Sequence, residues 1–400
     1  MADAPNTAAP VLRIALLNAI SARGLSKLPA EHYRTSKDMT EPDALLLRSA
    51  NLHNVVIPAS VRAIARAGSG TNNIPVAAMS ARGVPVFNAP GANANAVKEL
   101  VLAGMLMAAR NLPGALHFVA ALDPKAEDLE NQVEDGKKQF AGFELAGHTL
   151  GIVGLGKIGC LVADAAIKLG MNVLGFDPDI TVDAAWSLPA QVKRAASVAE
   201  VLKQAHFVTL HVPLVAATKH LVDADKLGTM RLGAVLLNFS REGVVDDRAV
   251  LASLAQRHLG MYVCDFPNAA LLGHEGVLAL PHLGASTREA EENCAVMVAL
   301  QLRDYLEHGN VVNAVNFPAV QMARESKFRI GIANANVPNM LGQISTTMAN
   351  AGLNIHNMVN KSRGEMAYTL VDVDSPVSAA VQAKLAAIEG VLSVRYLPLA

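Results

Sequence analysis

The chain has 400 residues, 52% of them hydrophobic and 17% charged. That length points to two or three cores rather than one, and the apolar content excludes a disordered or collagen-like chain. The 34 Lys and Arg nearly balance the 35 Asp and Glu, so no global basic field exists to draw nucleic acid or an anionic membrane, and any anion must be held locally. The 3 cysteines, Cys160, Cys264 and Cys294, follow no metal-binding or disulfide spacing, which suits a reducing compartment. Met1 to Pro10 show no basic segment leading into an apolar one, and no charge-free span reaches the roughly 20 residues of a membrane helix. The chain therefore reads as cytoplasmic, with neither nucleic acid nor membrane as partner.

From Val11 onward, short runs rich in Val, Ile and Leu alternate with longer helical patterns, the order expected of parallel βαβ units in an α/β fold. Val11–Asn18, Ala44–Arg48, Ala63–Ala67 and Val84–Asn88 read as strands of a small first sheet. Residues 93 to 110 follow as a buried helix with apolar positions three and four apart. A charged stretch, Asp123–Lys138, carries no assigned chemistry. Thr149–Leu155, Met171–Asp177, Phe207–Pro213, Ala234–Asn238, Tyr262–Phe266 and Val277–Leu280 supply six strands for a doubly wound parallel sheet. After a helix over Thr287–Glu307, the Gly-, Asn- and Pro-containing Gly309–Phe317 leaves that domain. The remainder reads as strand Phe328–Ala335, helix Asn339–Ala351, a strand pair about Arg363-Gly364, helix Ala379–Ile388 and strand Val391–Leu397. This βαββαβ order is that of a ferredoxin-like sandwich.

The most specific local signal is Gly154-Leu155-Gly156-Lys157-Ile158-Gly159, which directly follows one predicted strand and opens a helix. Gly154 permits a tight turn, Gly156 lets a pyrophosphate reach the backbone at the helix N-terminus, and Gly159 lets that helix pack close to the sheet. Asp177, at the end of the next strand, is placed to bind both ribose hydroxyls of an adenosine and to repel a 2′-phosphate, favouring NAD over NADP. Arg241 follows the buried strand Ala234–Asn238, and its planar cationic fork matches a carboxylate; a surface salt bridge to Glu242 or Asp246 is the competing role. His282 follows the last strand of the same sheet. An imidazole there is suited to take the proton released as hydride leaves an alcohol, although a histidine that merely caps a turn has the same sequence signature. Arg48-Ser49 at a strand end and the amide-dense turn Ala67–Ile74, containing Ser69 and Gly70, can grip an anionic substrate or be plain turns.

Taken together, Arg66–Ile74, the glycine-rich turn, His211-Val212-Pro213-Leu214, Arg241-Glu242-Gly243 and Pro281-His282-Leu283-Gly284-Ala285-Ser286-Thr287 resemble the D-2-hydroxyacid dehydrogenase family. The resemblance implies an NAD-binding Rossmann domain over 93–282, inserted in a split flavodoxin-like substrate domain over 1–92 and 283–320. An ACT regulatory domain over 325–400 follows, and the active site is the cleft between the first two. It further implies NAD-dependent oxidation of 3-phospho-D-glycerate, the step that opens serine biosynthesis, in a homo-oligomer. Another D-2-hydroxy acid such as 2-hydroxyglutarate, or non-catalytic NAD sensing, are the alternatives. By the resemblance, Arg241 takes the substrate carboxylate and carbonyl, and His282 exchanges the proton. Gly154, Gly156, Lys157, Ile158, Gly159, Asp177, His211, Val212, Pro213, Ser240 and Gly284 hold the cofactor; Arg48, Ser49, Ser69, Gly70 and Asn93 hold the substrate; Asn336 and Asn354 bind a serine effector. The family's glutamate partner of the histidine has no counterpart, since Ala269 fills its slot, and Asp265 is the candidate substitute. No metal is expected.

Overall fold

The computed structural model describes residues 11–399; Met1 to Pro10, the segment in which no signal-peptide pattern is expected, lie outside the described residues. The chain divides into two compact units, one holding residues up to Asn93 together with those from Arg288 onward, the other holding Ala94–Thr287.

The first unit opens with β1 (Leu12–Leu16), β2 (Tyr33–Ser36), β3 (Ala44–Leu47), β4 (Ala63–Arg66) and β5 (Val86–Phe87). All neighbours are parallel, in the order β2-β1-β3-β4-β5, the flavodoxin-like arrangement. The edge strand β2 is not anticipated from sequence: Tyr-Arg-Thr-Ser offers a single buried side chain, Tyr33, and no apolar alternation.

The second unit is built on β6 (Thr149–Val153), β7 (Asn172–Phe176), β8 (Lys193–Arg194), β9 (Phe207–Leu210), β10 (Ala234–Asn238), β11 (Leu259–Cys264) and β12 (Val277–Ala279). The order is β12-β11-β10-β9-β6-β7-β8, parallel throughout. Six strands are expected and seven are found, because β8 is a pair of exposed basic residues at the sheet edge with no apolar signal. Strand succession reverses direction at β6, the point where doubly wound sheets open a crevice beyond their carboxyl ends. Strands β9 and β10 are buried along their whole length, which is why they read as continuous apolar runs rather than alternating ones.

The chain ends in β13 (Phe328–Ala335), β14 (Ile355–Arg363), β15 (Met366–Val373) and β16 (Val391–Pro398), with helices Met340–Asn350 and Ala379–Ala386 between them. The antiparallel order β14-β15-β13-β16 is the ferredoxin-like one. This sheet shares a core with the rest of its unit: Ala333, Tyr368 and Leu370 pack in one cluster with Tyr305, Leu306 and Phe317. A buried ion pair fixes the junction. Arg329 and Asp372 face each other across β13 and β15 with no exposed side-chain area. The guanidinium donates Nε–H to Oδ1 at 2.6 Å and Nη2–H to Oδ2 at 2.8 Å, and its other hydrogens reach the carbonyls of His308, Met322 and Ala323. Burial pushes the Asp372 carboxyl up, but the Arg329 hydrogen bonds outweigh it and hold the group below the usual aspartate range. Arg395 stacks 4.3 Å from the Tyr305 ring centroid and donates to the last carbonyls of the helix Arg288–His308.

Among the described residues, no helix is long and apolar enough to cross a membrane.

Candidate active site

In the second unit, the side chains singled out from sequence stand at the carboxyl ends of neighbouring parallel strands. Gly154 follows β6, Asp177 follows β7, His211 to Pro213 follow β9, Ser240 and Arg241 follow β10, Asp265 follows β11, and His282 lies three residues beyond β12. The βαβ succession forces this: each strand is entered from the same side, so every strand-to-helix turn falls on one edge of the sheet.

The turn after β6 is shaped for a phosphate. Gly154 has φ +96°, and a Cβ there would strike the His211 carbonyl oxygen, while a Cβ at Gly159 would strike the carbonyl of Gly154. Gly156, the N-cap of the helix Lys157–Lys168, has no side-chain cap, and a Cβ on it would meet nothing within 4 Å. The first amides of that helix therefore face open space, where the helix dipole favours an anion. Asp177 secures the turn from the next strand, its Oδ2 accepting the Leu155 amide at 2.8 Å. His211 is held neutral, with burial pushing its imidazole down to about 4, and Nε2 lies 3.0 Å from Thr209 Oγ1. These residues fit a dinucleotide. Substituting Gly156 with Ala is expected to leave the melting temperature unchanged while weakening NADH binding at least about 10-fold, because the methyl enters only the space a pyrophosphate needs. Gly159→Ala should lower both. Fluorescence titration with NADH beside thermal melts separates the two effects.

Arg241 keeps an exposed surface, though desolvation of its guanidinium by the surrounding protein lowers its pKa from the ordinary arginine value. Nη1 donates to the Ser240 carbonyl at 2.6 Å, and neither Glu242 nor Asp246 pairs with it among the described residues. His282 is exposed, sits at φ +56°, a left-handed conformation that non-glycine residues adopt seldom, and stacks edge-on to Phe266 with ring centroids 5.0 Å apart. Asp265 is 1% exposed. Its Oδ1 accepts the Leu283 amide at 2.7 Å and its Oδ2 the Gly284 amide at 2.8 Å. Burial raises its pKa, against the pull of those two amides and of the nearby His282. The carboxylate thus grips the backbone that carries the histidine, and a Cβ at Gly284 would lie 3.2 Å from Oδ2, a tight contact that would press on the carboxylate. Ala269 is exposed in the turn beyond Pro267 and offers only a methyl.

The remaining residues belong to the other unit. Arg48 and Ser49 directly follow β3, where Asn18 Oδ1 accepts the amides of Arg48, Ser49 and Ala50 at 3.1, 2.9 and 2.8 Å. Those amides are consumed, so only side chains are on offer, and Arg48 itself pairs with Glu291 at 2.7 Å. Beyond β4, the Ser69 carbonyl accepts Asn88 Nδ2 and the Gly70 carbonyl accepts Arg66 Nη1, each at 2.6 Å. A trans peptide points its amide opposite its carbonyl, so the Gly70 N–H faces away from Asn88. Asn93 is buried at the start of the helix Ala94–Ala109. Asn336 follows β13 and binds the Gly364 and Glu365 carbonyls, whereas Asn354 precedes β14 and exchanges hydrogen bonds with Asp374. The two asparagines flank opposite ends of β15. Asn18 and Asn238 escape the sequence reading; an amide closing an otherwise apolar strand is the signal that finds them.

Comparison with known proteins gives this arrangement its setting. Residues 102–284 match the family described as D-isomer specific 2-hydroxyacid dehydrogenase, NAD binding domain. D-3-phosphoglycerate dehydrogenase of Escherichia coli strain K12 is 32% identical over 342 residues, covering 82% of this chain and 79% of that protein. The Methanocaldococcus jannaschii protein of the same name is also 32% identical, covering 83% of this chain, which spans 62% of that longer relative. Among solved structures, the NAD+-bound 3-phosphoglycerate dehydrogenase of Entamoeba histolytica aligns with TM-score 0.60 at 22% identity, over 76% of this chain and 99% of that one. The holo D-mandelate dehydrogenase of Rhodotorula graminis aligns with TM-score 0.65 at 20% identity, over 78% and 100%. With a glycine cradle open to a pyrophosphate, an acid at the next strand end, and an arginine and a histidine on the same sheet edge, the chain belongs to the D-isomer specific 2-hydroxyacid dehydrogenases and is an NAD-dependent oxidoreductase of that family.

Proposed function

We propose that the chain oxidises 3-phospho-D-glycerate at its 2-hydroxyl to 3-phosphohydroxypyruvate, the entry to serine biosynthesis, in the cytoplasm. The observation that carries this reading is the likeness to D-3-phosphoglycerate dehydrogenases over 82% of the chain. Arg241 and His282 on strand ends of the same sheet agree with it. NAD, when bound, supplies the hydride acceptor. Arg241 holds the substrate carboxylate and polarises the oxygen that becomes the carbonyl. His282 accepts the hydroxyl proton as hydride departs, and Asp265 keeps the His282 turn in place through the Leu283 and Gly284 amides. Val212 and Pro213 would hold the nicotinamide half of that cofactor, Lys157 and Ile158 its phosphate end, and Ser240 and Gly284 would also contribute to its binding.

The last sheet is read as an ACT regulatory domain. Glu365 and Asp374, which meet Asn336 and Asn354, are separated by the length of β15, 8 residues, or about 27 Å at the rise of a strand. One copy cannot close both asparagines on one small amino acid. A serine effector would therefore be shared between copies, which favours a homo-oligomer.

The test is absorbance at the NADH band with 3-phosphoglycerate, 2-hydroxyglutarate and D-glycerate, each with and without serine. NADH formed fastest from 3-phosphoglycerate is the expected result. Preference for another acid reassigns the substrate, and tight NADH binding with no turnover of any acid, to which Ala269 would lend weight, makes the protein a sensor.

A further inference from the structure

Asn238 is a group that this mechanism does not use, yet its carboxamide organises the turn carrying Arg241. The side chain lies at the end of β10, 2% exposed. Its Oδ1 accepts the Ser240 amide at 3.2 Å and the Ser240 hydroxyl at 2.8 Å. Its Nδ2 donates to the Arg241 carbonyl at 3.0 Å and lies 3.4 Å from the Tyr262 hydroxyl on β11. Acceptor and donor sides are thus both used within three residues, closing the backbone from 238 to 241 into a fixed loop. The Arg241 guanidinium folds onto that same loop through the Ser240 carbonyl.

The loop is tied to the histidine turn as well. Asn238 pairs with Cys264 across β10 and β11, and the Asp265 amide donates to the Asn238 carbonyl at 3.2 Å. The Asp265 carboxylate in turn holds Leu283 and Gly284, the residues after His282. Backbone and side chain of Asn238 therefore stand at one end of a continuous chain of hydrogen bonds running from the Arg241 turn to the His282 turn.

We propose that Asn238 is a positioning residue for the oxidation, acting through Arg241 by fixing the height and direction of its turn, with Asp265 extending the same brace to His282. An arginine that binds a carboxylate on a reacting carbon must be held to a fraction of an ångström, since small misplacements of positioning groups lower rates steeply. The proposal rests on the reading of Arg241 as the carboxylate-binding group.

The test compares Asn238→Asp, Arg241→Gln and the double variant in the intact protein, with the hydroxy acid that supports fastest NADH formation. Asn238→Asp keeps an acceptor for Ser240 but turns a second oxygen toward the Arg241 carbonyl, replacing a hydrogen bond by a repulsion. It is expected to raise the KM for the hydroxy acid about 10-fold, with NADH affinity within about 2-fold of the unaltered protein. Combined with Arg241→Gln, it should add less than about 2-fold, because a residue acting through another has nothing left to position. Should Asn238→Asp not fold, Asn238→Ser, which keeps an acceptor for the Ser240 amide, gives the same comparison. An unchanged KM in a folded Asn238 variant, or a full multiplicative loss in the double variant, overturns the proposal. Arg241→Gln with unaltered kinetics instead overturns the reading of Arg241 on which it stands.

Discussion

Replacing His282 with Gln is expected to lower kcat with 3-phosphoglycerate by roughly a hundred- to ten-thousand-fold, the range over which a positioned acid–base group contributes. Glutamine keeps a polar side chain of similar reach but cannot take up a proton, and the hydroxyl proton must leave as hydride does. The loss should fall on kcat, with NADH binding preserved, because the glycine cradle is built on β6 and its following helix rather than on the His282 turn. A kcat within 2- or 3-fold of the unaltered protein, measured by NADH absorbance, would remove His282 from proton transfer. The turn itself is not expected to collapse. Asp265 holds it by the amides of Leu283 and Gly284, neither of which depends on the imidazole.

The second large effect concerns stability. Arg329→Met is expected to destabilise the unit containing the first and last sheets by about 3–5 kcal/mol, since it leaves a buried carboxylate without its partner. It also strips hydrogen bonds from the carbonyls of His308, Met322 and Ala323. Against a total stability of about 5–15 kcal/mol this is a substantial share. The pair Arg329→Met with Asp372→Leu should recover part of the loss, because no charge is then left stranded. The pH dependence supplies a second signature. In the unaltered protein Asp372 is held below the ordinary aspartate range. Its contribution is therefore complete above the unfolded pKa of about 3.9 and fades as pH falls through the lower folded value. In Arg329→Met the same buried carboxyl has its pKa raised, so its effect reverses and stability declines as pH rises through the new value. Thermal melts across acid and neutral pH distinguish the two signs, and a melting temperature insensitive to Arg329→Met would mean that the clasp is dispensable.

Sequence reading succeeds here where the requirement is local. The cradle after β6 depends on glycines whose missing side chains matter within a few residues, and strand, turn and helix follow one another directly, so function and geometry are written in one stretch. The arginine and histidine are legible because each follows an apolar strand. Their chemical roles came from resemblance, since an exposed arginine or a turn histidine has several uses. Strands β2 and β8 were illegible for an opposite reason: at a sheet edge, backbone pairing suffices and side chains need no apolar pattern. Asn238 and Asp265 show the harder limit. Each has a meaning only once distant segments are brought alongside, Asp265 through amides 18 and 19 residues later. The same holds for Arg329 and Asp372, 43 residues apart, which in sequence are ordinary surface charges and in the fold are fully enclosed.

The separation of Asn336 from Asn354 along β15 has a consequence for any inhibition by serine. If the pocket is assembled from halves on different molecules, its population depends on association, and the inhibitor and the subunit contact reinforce one another by linkage. Potency would then be a property of the sample's dilution as much as of the ligand, weakening as copies part and recovering as they are concentrated.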